Sequence, residues 1–285
     1  MCLRELGLGY DGEENIVDLS LLTSDYVAQD GDMLTGTLKS EVMISVADGA
    51  TITLQDCSIQ KKTYQHPSIV CQGSAEIITS KTTILGGIPG YPTIYVPEGS
   101  TLTLSGFGNL HVYGGDSDNS DIGGSAAIGG GFKGKCKKIS INGGKVEATG
   151  GENYPAIGGG TEEECLCGDI KIYGGDVSCY AGKNCKYALG FGTEKTNEKF
   201  NVTIYPYIKR LFMRAEDQNA KIVHDLINCA VPVFDHIGFE ALMDFLRFLN
   251  TSLDDEVNEV KRGVRYIVGY QAACIIPQAD IKITQ

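Results

Sequence analysis

The sequence is short of basic residues and of long apolar runs. Lysine and arginine number 24 against 36 aspartate and glutamate residues, so the formal net charge is −12. That sign opposes the phosphate contacts from which nucleic-acid-binding proteins draw their affinity, and it excludes nucleic acid as a partner. A membrane helix needs about 18 consecutive apolar residues, and the sequence contains no such run. The first residues also lack the basic and apolar regions of a signal peptide, so we expect neither membrane insertion nor a cleaved leader.

Proline is scarce and glycine is unusually frequent. Proline accounts for 8 and glycine for 37 of the 285 residues, without a Gly-X-Y period, which excludes a collagen helix and proline-rich disorder. Because 42% of the chain is hydrophobic, as in an ordinary globular protein, the glycines are expected in ordered turns. The 10 cysteines are too sparse for a disulfide scaffold, which is a feature of short secreted chains.

An internal repeat organises the first two thirds of the sequence. The motif Ala-Ile-Gly-Gly-Gly occupies residues 127–131 and 156–160, and a degraded copy occupies residues 188–192. The segment Cys-Lys-Lys-Ile-Ser-Ile-Asn-Gly-Gly from Cys136 aligns with Cys-Gly-Asp-Ile-Lys-Ile-Tyr-Gly-Gly from Cys167. Self-similarity at a nearly fixed period is the signature of a fold whose repeats stack on one another.

Upstream, the same rhythm continues more loosely at residues 45–54, 68–78 and 93–104, each a short strand, a glycine turn and a second strand. Threonine alternates with isoleucine or leucine there, which is typical of strands with one buried face. The repeat is too short for a propeller blade and lacks the helical half of a leucine-rich repeat. It predicts a mainly β fold, a right-handed parallel β-helix of about six to seven coils over residues 25–211. The predicted inward side chains are Ile139, Ile141, Val146, Ile170, Ile172 and Val177.

The composition changes after residue 211, where the glycine turns stop and apolar residues recur at helical spacing. We therefore divide the chain into an N-terminal lead-in or cap (1–24), the β-helix (25–211) and a small α-helical C-terminal region (212–285), acting as a cap or interaction region. A parallel β-helix leaves the last coil unpaired, and repeat proteins generally cover such an edge. The helical region is expected to pack against that coil or against a second copy of the chain. The residues expected in this contact are Phe239, Leu242, Phe245, Leu246 and Leu249.

The repeat motifs carry a resemblance to a known group of proteins. Ala-Ile-Gly-Gly-Gly combined with Cys-x-x-Ile-x-Ile-x-Gly-Gly, and preceded by Asp-Gly-Ala-Thr-Ile-Thr-Leu at residues 48–54, resembles the glycine-rich parallel β-helix repeat proteins of gut anaerobic bacteria. The resemblance covers about residues 25–205, whereas residues 212–270 match nothing in that group. It implies an adhesin-like or carbohydrate-binding protein that is extracellular or on the cell surface. One fold hosts many functions, so the resemblance concerns fold more than function.

The acidic run at residues 116–121 is the main candidate for a metal site. Asp116, Asp118 and Asp121 are spaced like carboxylates that surround a Ca²⁺ ion. The run is not an EF-hand, because Asp121 stands where glycine is required and Ala127 stands where a bidentate glutamate is required. We expect no cofactor and a solvated turn at this run, with calcium in an irregular site as the alternative.

Three other patterns involve glycine or cysteine. The glycine-rich loop at residues 129–136 nearly matches a P-loop but leads into a predicted strand, so it lacks the helix N-terminus that binds phosphate. The four cysteines at residues 165–185 lack the spacing of a zinc ribbon or finger. Cys136 and Cys167 share one repeat position and would stack one coil apart, within reach of a disulfide. Buried free thiols are the favoured interpretation there, because cysteine is a good small core residue.

Catalytic patterns are weak in the repeat region. Carbohydrate cleavage on such a fold needs clustered carboxylates, or Ca²⁺ with a basic residue, whereas the 4 histidines are scattered along the sequence. Asp169 and Asp176 are expected to face Lys138 and Lys145 of the preceding coil, which indicates surface pairs that fix the register of the strands. We therefore predict that the protein is not an enzyme.

Tyrosines supply the candidate binding residues. Tyr113, Tyr154 and Tyr173 are candidate platforms on which a ligand could stack, and packing at the coil edges is their alternative role. The predicted function is that of a non-catalytic, adhesin-like surface or binding protein whose partner is a glycan or a cell-surface protein. The alternative is a structural subunit of a phage or cell-surface particle, forming a homo-oligomer or a larger assembly. The third candidate function is that of a polysaccharide lyase or hydrolase.

Overall fold

A computed structural model gives the architecture of the repeat region. It describes residues 15–39, 41–60, 66–116, 123–131, 135–160, 168–185 and 188–190 in full, and the backbone alone of residues 167, 201–204, 208–214 and 280–283. The described residues form parallel strands and a single turn of 3-10 helix at Leu19–Leu21. In the region 212–285, which was predicted to be helical, the described residues 212–214 and 280–283 are strand. The predicted helices, with the five apolar residues expected in their contact, lie outside the described residues.

The described strands, numbered in chain order, form three stacks. The first stack contains β2 (Tyr26–Ala28), β4 (Ile44–Val46), β6 (Ile69–Cys71), β9 (Ile94–Tyr95), β12 (Ile128–Gly129), β15 (Ile157–Gly158) and β18 (Leu189–Gly190). The second stack contains β1 (Asn15–Asp18), β3 (Asp32–Thr37), β5 (Thr51–Gln60), β7 (Ser74–Thr79), β10 (Thr101–Gly106), β13 (Cys136–Ile141), β16 (Cys167–Ile172), β19 (Asn201–Ile204) and β21 (Asp280–Ile283). The third stack contains the ends of β3 and β5, then β8 (Thr82–Gly86), β11 (Asn109–Tyr113), β14 (Lys145–Thr149), β17 (Gly175–Tyr180) and β20 (Ile208–Arg214).

The chain visits the three stacks in turn, so that each coil adds one strand to each stack. β12, β13 and β14 make one coil, and β15, β16 and β17 make the next, with every strand parallel to its predecessor. Parallel strands cannot be joined by tight hairpins, and here the intervening strands of the other two stacks supply the crossover. The parallel pairing predicted between the segments at 127 and 156 is confirmed by the pairing of Ile128 with Ile157. The arrangement is compatible with a parallel β-helix.

Aliphatic ladders fill the interior between the stacks. In the second stack Leu104 pairs with Ile141, and Ile141 with Ile172, and all three side chains are buried. In the first stack Ile128 pairs with both Ile94 and Ile157. The inward prediction is confirmed for the six residues that it named, Ile139, Ile141, Val146, Ile170, Ile172 and Val177. Burial of each such side chain stabilises the fold by about 1.5–3 kcal/mol. A coil gains this stabilisation only when the neighbouring coils are present.

Asp-Gly turns form the corner between the first and second stacks. At Ala47–Ala50 the backbone N–H of Ala50 donates to the carbonyl oxygen of Ala47 at 3.1 Å, and Gly49 takes a φ of 78°. A positive φ at this turn position favours glycine, which explains why the turn is Asp-Gly. The Asp48 carboxylate also accepts the backbone N–H of Ser74 in the next coil at 2.8 Å. The turn residue therefore ties successive coils together.

A buried aspartate organises the N-terminal coil. Asp32 lies in the interior, where its carboxylate accepts the side-chain amide of Asn15 at 2.8 Å, the hydroxyl of Tyr26 at 2.7 Å and the backbone N–H of Gln29 at 2.8 Å. Burial, and then the hydrogen bond to Asp32, raise the pKa of Tyr26 to about 12. Because a buried carboxylate is costly unless it is hydrogen-bonded, the donors from Asn15 and Tyr26 hold β1 and β2 against β3, and the donor from Gln29 fixes the turn between β2 and β3.

The cysteine interpretation needs a correction. Cys136 is disulfide-bonded, not a free thiol as the sequence favoured. The parallel register sets Cys136 opposite Cys167, and strands one coil apart are separated by about 4.8 Å, within the Cα range that a disulfide requires. Cys57, Cys71 and Cys179 are free thiols and are buried, and Cys185 is buried as well.

The buried thiols are expected to be unreactive in the folded protein. Burial raises the pKa of Cys57, Cys71 and Cys179 to about 12, so at neutral pH each remains a thiol, whereas the thiolate is the nucleophile. Iodoacetamide at pH 8 should leave these three residues unmodified in native protein and modify them after denaturation, as read by peptide mass spectrometry. A Thr82→Cys variant on the exposed side of β8 provides the reactive control. Native labelling of Cys179 as fast as labelling of the thiol introduced by Thr82→Cys would contradict the buried placement.

Candidate functional site

The outward side of the third stack carries both polar and aromatic side chains. Leu110, Val146 and Val177 point inward, so the alternate residues of β11, β14 and β17 point outward. These outward residues form three ladders that run across the coils, here called the third-stack face. They are Asn109, Lys145 and Asp176; His111, Glu147 and Ser178; and Tyr113, Thr149 and Tyr180.

The centre of this face carries both signs of charge. Nδ1 of His111 lies 3.7 Å from Oε2 of Glu147, and both side chains are partly exposed. Lys145 pairs in register with Asp176, as the sequence predicted. The predicted register of Lys138 with Asp169 is also confirmed on the second stack, where Nζ of Lys171 also lies 3.7 Å from Oδ2 of Asp169. The third-stack face therefore presents carboxylates beside a lysine and an imidazole, so that it carries both donors and acceptors of hydrogen bonds.

Aromatic side chains flank the middle coil of the face at one edge. Tyr113 is 41% exposed, and Tyr180, two coils further, is partly buried. The residue between them in the register is Thr149. A threonine side chain is shorter than tyrosine, so the middle coil is lower than its neighbours at this edge.

The opposite edge of the face, at the corner between the second and third stacks, carries one further exposed aromatic side chain. Phe107 is 88% exposed. Lys145 N–H donates to the carbonyl of Gly108 at 2.9 Å, and Asp176 N–H donates to the carbonyl of Gly144 at 2.9 Å, so the three corners stack in register. The middle corner, at residues 143–144, is Gly-Gly, and the equivalent residues 174–175 of the next corner are Gly-Gly as well, with the partly buried Tyr173 in register with Asn142.

Of the three tyrosines predicted as platforms, Tyr113 is exposed, Tyr173 is partly buried and Tyr154 is buried, with 2% of its surface exposed. The expectation of a surface position is wrong for Tyr154. Its backbone N–H donates to Gly151 at 2.9 Å and its carbonyl accepts from Gly182 at 3.0 Å, so the residue lies inside the turn after β14. Gly123 lies beside the ring, since a β-carbon there would make an ordinary van der Waals contact with it at 3.5 Å.

The predicted calcium ligands are only partly described. Asp116 is exposed, and its Oδ1 accepts the backbone N–H of Glu152 at 3.2 Å, which is a link between coils. Asp118 and Asp121 lie outside the described residues. Within the described part of the chain, histidine, cysteine, aspartate and glutamate form no group of three or more that could hold a metal ion.

The sequence alone did not single out Phe107, His111 or Glu147. The signal for the pair was weak, because His111 and Glu147 occupy equivalent positions only when Asn-Leu-His-Val-Tyr is aligned with Lys-Val-Glu-Ala-Thr across the insertion that follows Tyr113. The signal for Phe107 was its place between two glycines at a position where the next two coils have Gly-Gly.

Comparisons with protein-family models, with curated proteins and with solved structures find no match to this chain. Among the described residues there is also no helix with the length and apolar character that crossing a membrane requires.

Proposed function

We propose that the chain is a non-catalytic, adhesin-like binding protein, a right-handed parallel β-helix that holds a glycan on its third-stack face. The observation that supports this proposal best is the combination of Tyr113 and Phe107, both exposed, with a polar centre of mixed charge. Binding sites for sugars need aromatic surface for the apolar side of the ring and polar groups for the hydroxyls. A cell-surface protein that carries such glycans fits the same surface.

The order of side chains on the central ladder argues against a serine-type nucleophilic triad. A nucleophilic triad needs the histidine next to the nucleophile, with the carboxylate behind the histidine. Here Glu147 stands between His111 and Ser178, so the histidine is next to the carboxylate and away from the hydroxyl. Ser178 is also buried.

A location outside the cell or on its surface is supported by the disulfide at Cys136. Disulfides form and persist mainly in oxidising compartments. The surface and carbohydrate-binding assignments otherwise rest on the resemblance of the repeat motifs.

A glycan array probed with the fluorescently labelled full chain tests the proposal. We expect retention on a subset of glycans, with no release of reducing ends or unsaturated sugars when the same glycans are incubated with the protein. Turnover abolished by a Glu147→Gln substitution would replace the proposal with an enzymatic function. A protein that binds no glycan on the array would refute the glycan assignment.

A structural role in a phage or cell-surface particle is the second candidate function. Ile16, Leu21 and Val27 are exposed on the N-terminal coil, with Leu21 75% exposed. Exposed apolar side chains beside strand edges favour association with another chain. Light scattering after size exclusion would show a homo-oligomer or larger assembly if this role is correct, and a monomer if it is not.

A further inference from the structure

At several corners of the described coils an aspartate or an asparagine is followed directly by glycine. Asp30-Gly31 lies between β2 and β3, Asp48-Gly49 between β4 and β5, and Asn142-Gly143 between β13 and β14. In such a pair the backbone nitrogen of the glycine lies close enough to attack Cγ of the preceding side chain and close a succinimide ring. Glycine favours this closure, because it has no β-carbon and adopts a wide range of backbone conformations.

At the two aspartates the reacting groups are held by the coil that follows. Gly31 N–H donates to the carbonyl oxygen of Thr51 at 2.9 Å, and the Asp30 carboxylate accepts the N–H of Thr51 at 2.8 Å. The pair Asp48-Gly49 makes the same two bonds to Ser74, at 2.7 and 2.8 Å. Both aspartate side chains are exposed. Ring closure nevertheless requires each corner to separate from the next coil first.

The corner at Asn142-Gly143 is anchored on either side of the atoms that would react. Asn142 N–H donates to the carbonyl oxygen of Leu104 at 2.8 Å, and Lys145 N–H donates to that of Gly108 at 2.9 Å. Within the ranges that the structure describes, neither the Gly143 N–H nor the side-chain amide of Asn142 makes a hydrogen bond. The Asn142 side chain is exposed, so water reaches it. Ring closure here breaks no hydrogen bond to a neighbouring coil.

Two other turn asparagines are held differently. Asn153 and Asn184 are followed by Tyr154 and Cys185, whose backbone N–H groups donate within the turn at 2.9 and 3.0 Å. Both of these following residues also carry side chains that crowd the attacking nitrogen, whereas glycine carries none. Asn142 therefore combines an exposed amide, a following glycine and a backbone N–H that the described coils leave available for reaction.

We propose that Asn142 is a site of spontaneous deamidation in the folded protein. The nitrogen of Gly143 forms a bond to Cγ of Asn142 and loses its proton, and the bond from Cγ to Nδ2 breaks, so that ammonia leaves. Water then opens the succinimide. Opening at Cγ gives aspartate, and opening at the backbone carbonyl gives isoaspartate, which lengthens the main chain by a methylene group. Either product adds a negative charge beside the corner that carries Phe107.

Ageing the folded full chain at pH 8, in parallel with the chain unfolded in guanidinium chloride, tests the site. Peptide mass spectrometry measures loss of the Asn142 amide, and labelling by an isoaspartyl methyltransferase measures isoaspartate in each peptide. We expect the folded and unfolded rates at Asn142 to agree within about threefold, whereas the folded rates at Asp30 and Asp48 should be at least about tenfold below the unfolded rates, because those corners must first open.

An exposed asparagine on β11 supplies the matched control variant. Asn142→Gln should abolish the product in the folded protein, because glutamine has to close a larger and less favourable ring. Asn109→Gln makes the same change at the exposed Asn109 and should leave the product unchanged. Both substitutions are on exposed side chains, so unchanged melting temperatures would show that the variants are folded.

The inference is independent of the proposed function, and every other outcome counts against it. If Asn142 reacts at least about tenfold more slowly in the folded chain than in the unfolded chain, the corner protects the pair and the proposal is wrong. If Asp30 and Asp48 also react as fast folded as unfolded, the hydrogen bonds to the next coil do not select Asn142. A product that persists in Asn142→Gln would place the reaction at another residue.

Discussion

Replacement of Gly158 by alanine is expected to destabilise the protein by at least about 4 kcal/mol, at the upper end of single-residue effects. Gly158 lies in β15, stacked between Gly129 and Gly190 of the adjacent coils. Its φ of 154° is a conformation that an L side chain rarely adopts. A β-carbon there would also overlap the carbonyl oxygen of Gly190. That oxygen is fixed, because it accepts the backbone N–H of Gly159 at 2.6 Å, so neither side can move away.

The matched control is Gly49→Ala, which separates backbone strain from close approach. Gly49 has a φ of 78°, yet no atom lies within 4 Å of where its β-carbon would be. Gly49→Ala should therefore lower the free energy of unfolding by only about 1–2 kcal/mol, which is the cost of holding an L residue at a positive φ. Urea unfolding of the two variants measures both losses. Equal losses at Gly49 and Gly158 would mean that the first stack is not packed as tightly as its glycine ladder indicates.

The glycine ladder also shows why the repeat could be found in the sequence. A β-carbon at Gly129 or at Gly158 would overlap the carbonyl oxygen of the glycine in the next coil, so only glycine fits at these two positions, and the neighbouring Ile128, Ile157 and Leu189 are buried. A motif with both constraints varies little between coils. The strands, their parallel register and the inward residues therefore followed from the alignment, including the pairing of Lys145 with Asp176.

The third-stack face was harder to predict, because outward positions carry no packing constraint. His111 and Glu147 meet only through the register of β11 and β14, and the insertion after Tyr113 interrupts the period there. Tyr154 was misplaced because the amphipathic tyrosine side chain is compatible with both the surface and the interior, and only the backbone of the turn decides. A free thiol was favoured at Cys136, where the structure has a disulfide, because the repeat alignment shows which residues are adjacent but not whether two thiols are oxidised.

Inward and outward side chains alternate along each strand, so substitutions at adjacent positions are expected to differ greatly in their effect on folding. Leu102→Asp is expected to prevent folding. Leu102 is fully buried in β10 and stacks between Ala75 and Ile139. Truncation of a buried leucine to alanine costs about 2–5 kcal/mol, and an unpaired buried carboxylate adds several more. That sum approaches the total stability of a typical domain, about 5–15 kcal/mol.

The adjacent residue supplies the control, because one position along a strand reverses the side-chain direction. Thr101 points outward between Ser74 and Lys138, so an aspartate there would face a lysine. Thr101→Asp should therefore shift stability by less than about 1 kcal/mol. Thermal unfolding of the soluble fraction, followed by circular dichroism, measures the stability of both variants. If Leu102→Asp yields no soluble protein, Leu102→Ala takes its place, and we expect it to fold with a loss of about 2–5 kcal/mol in the free energy of unfolding. A destabilised Thr101→Asp beside a stable Leu102→Asp would place β10 one residue out of register, and every inward ladder of the second stack would then face solvent.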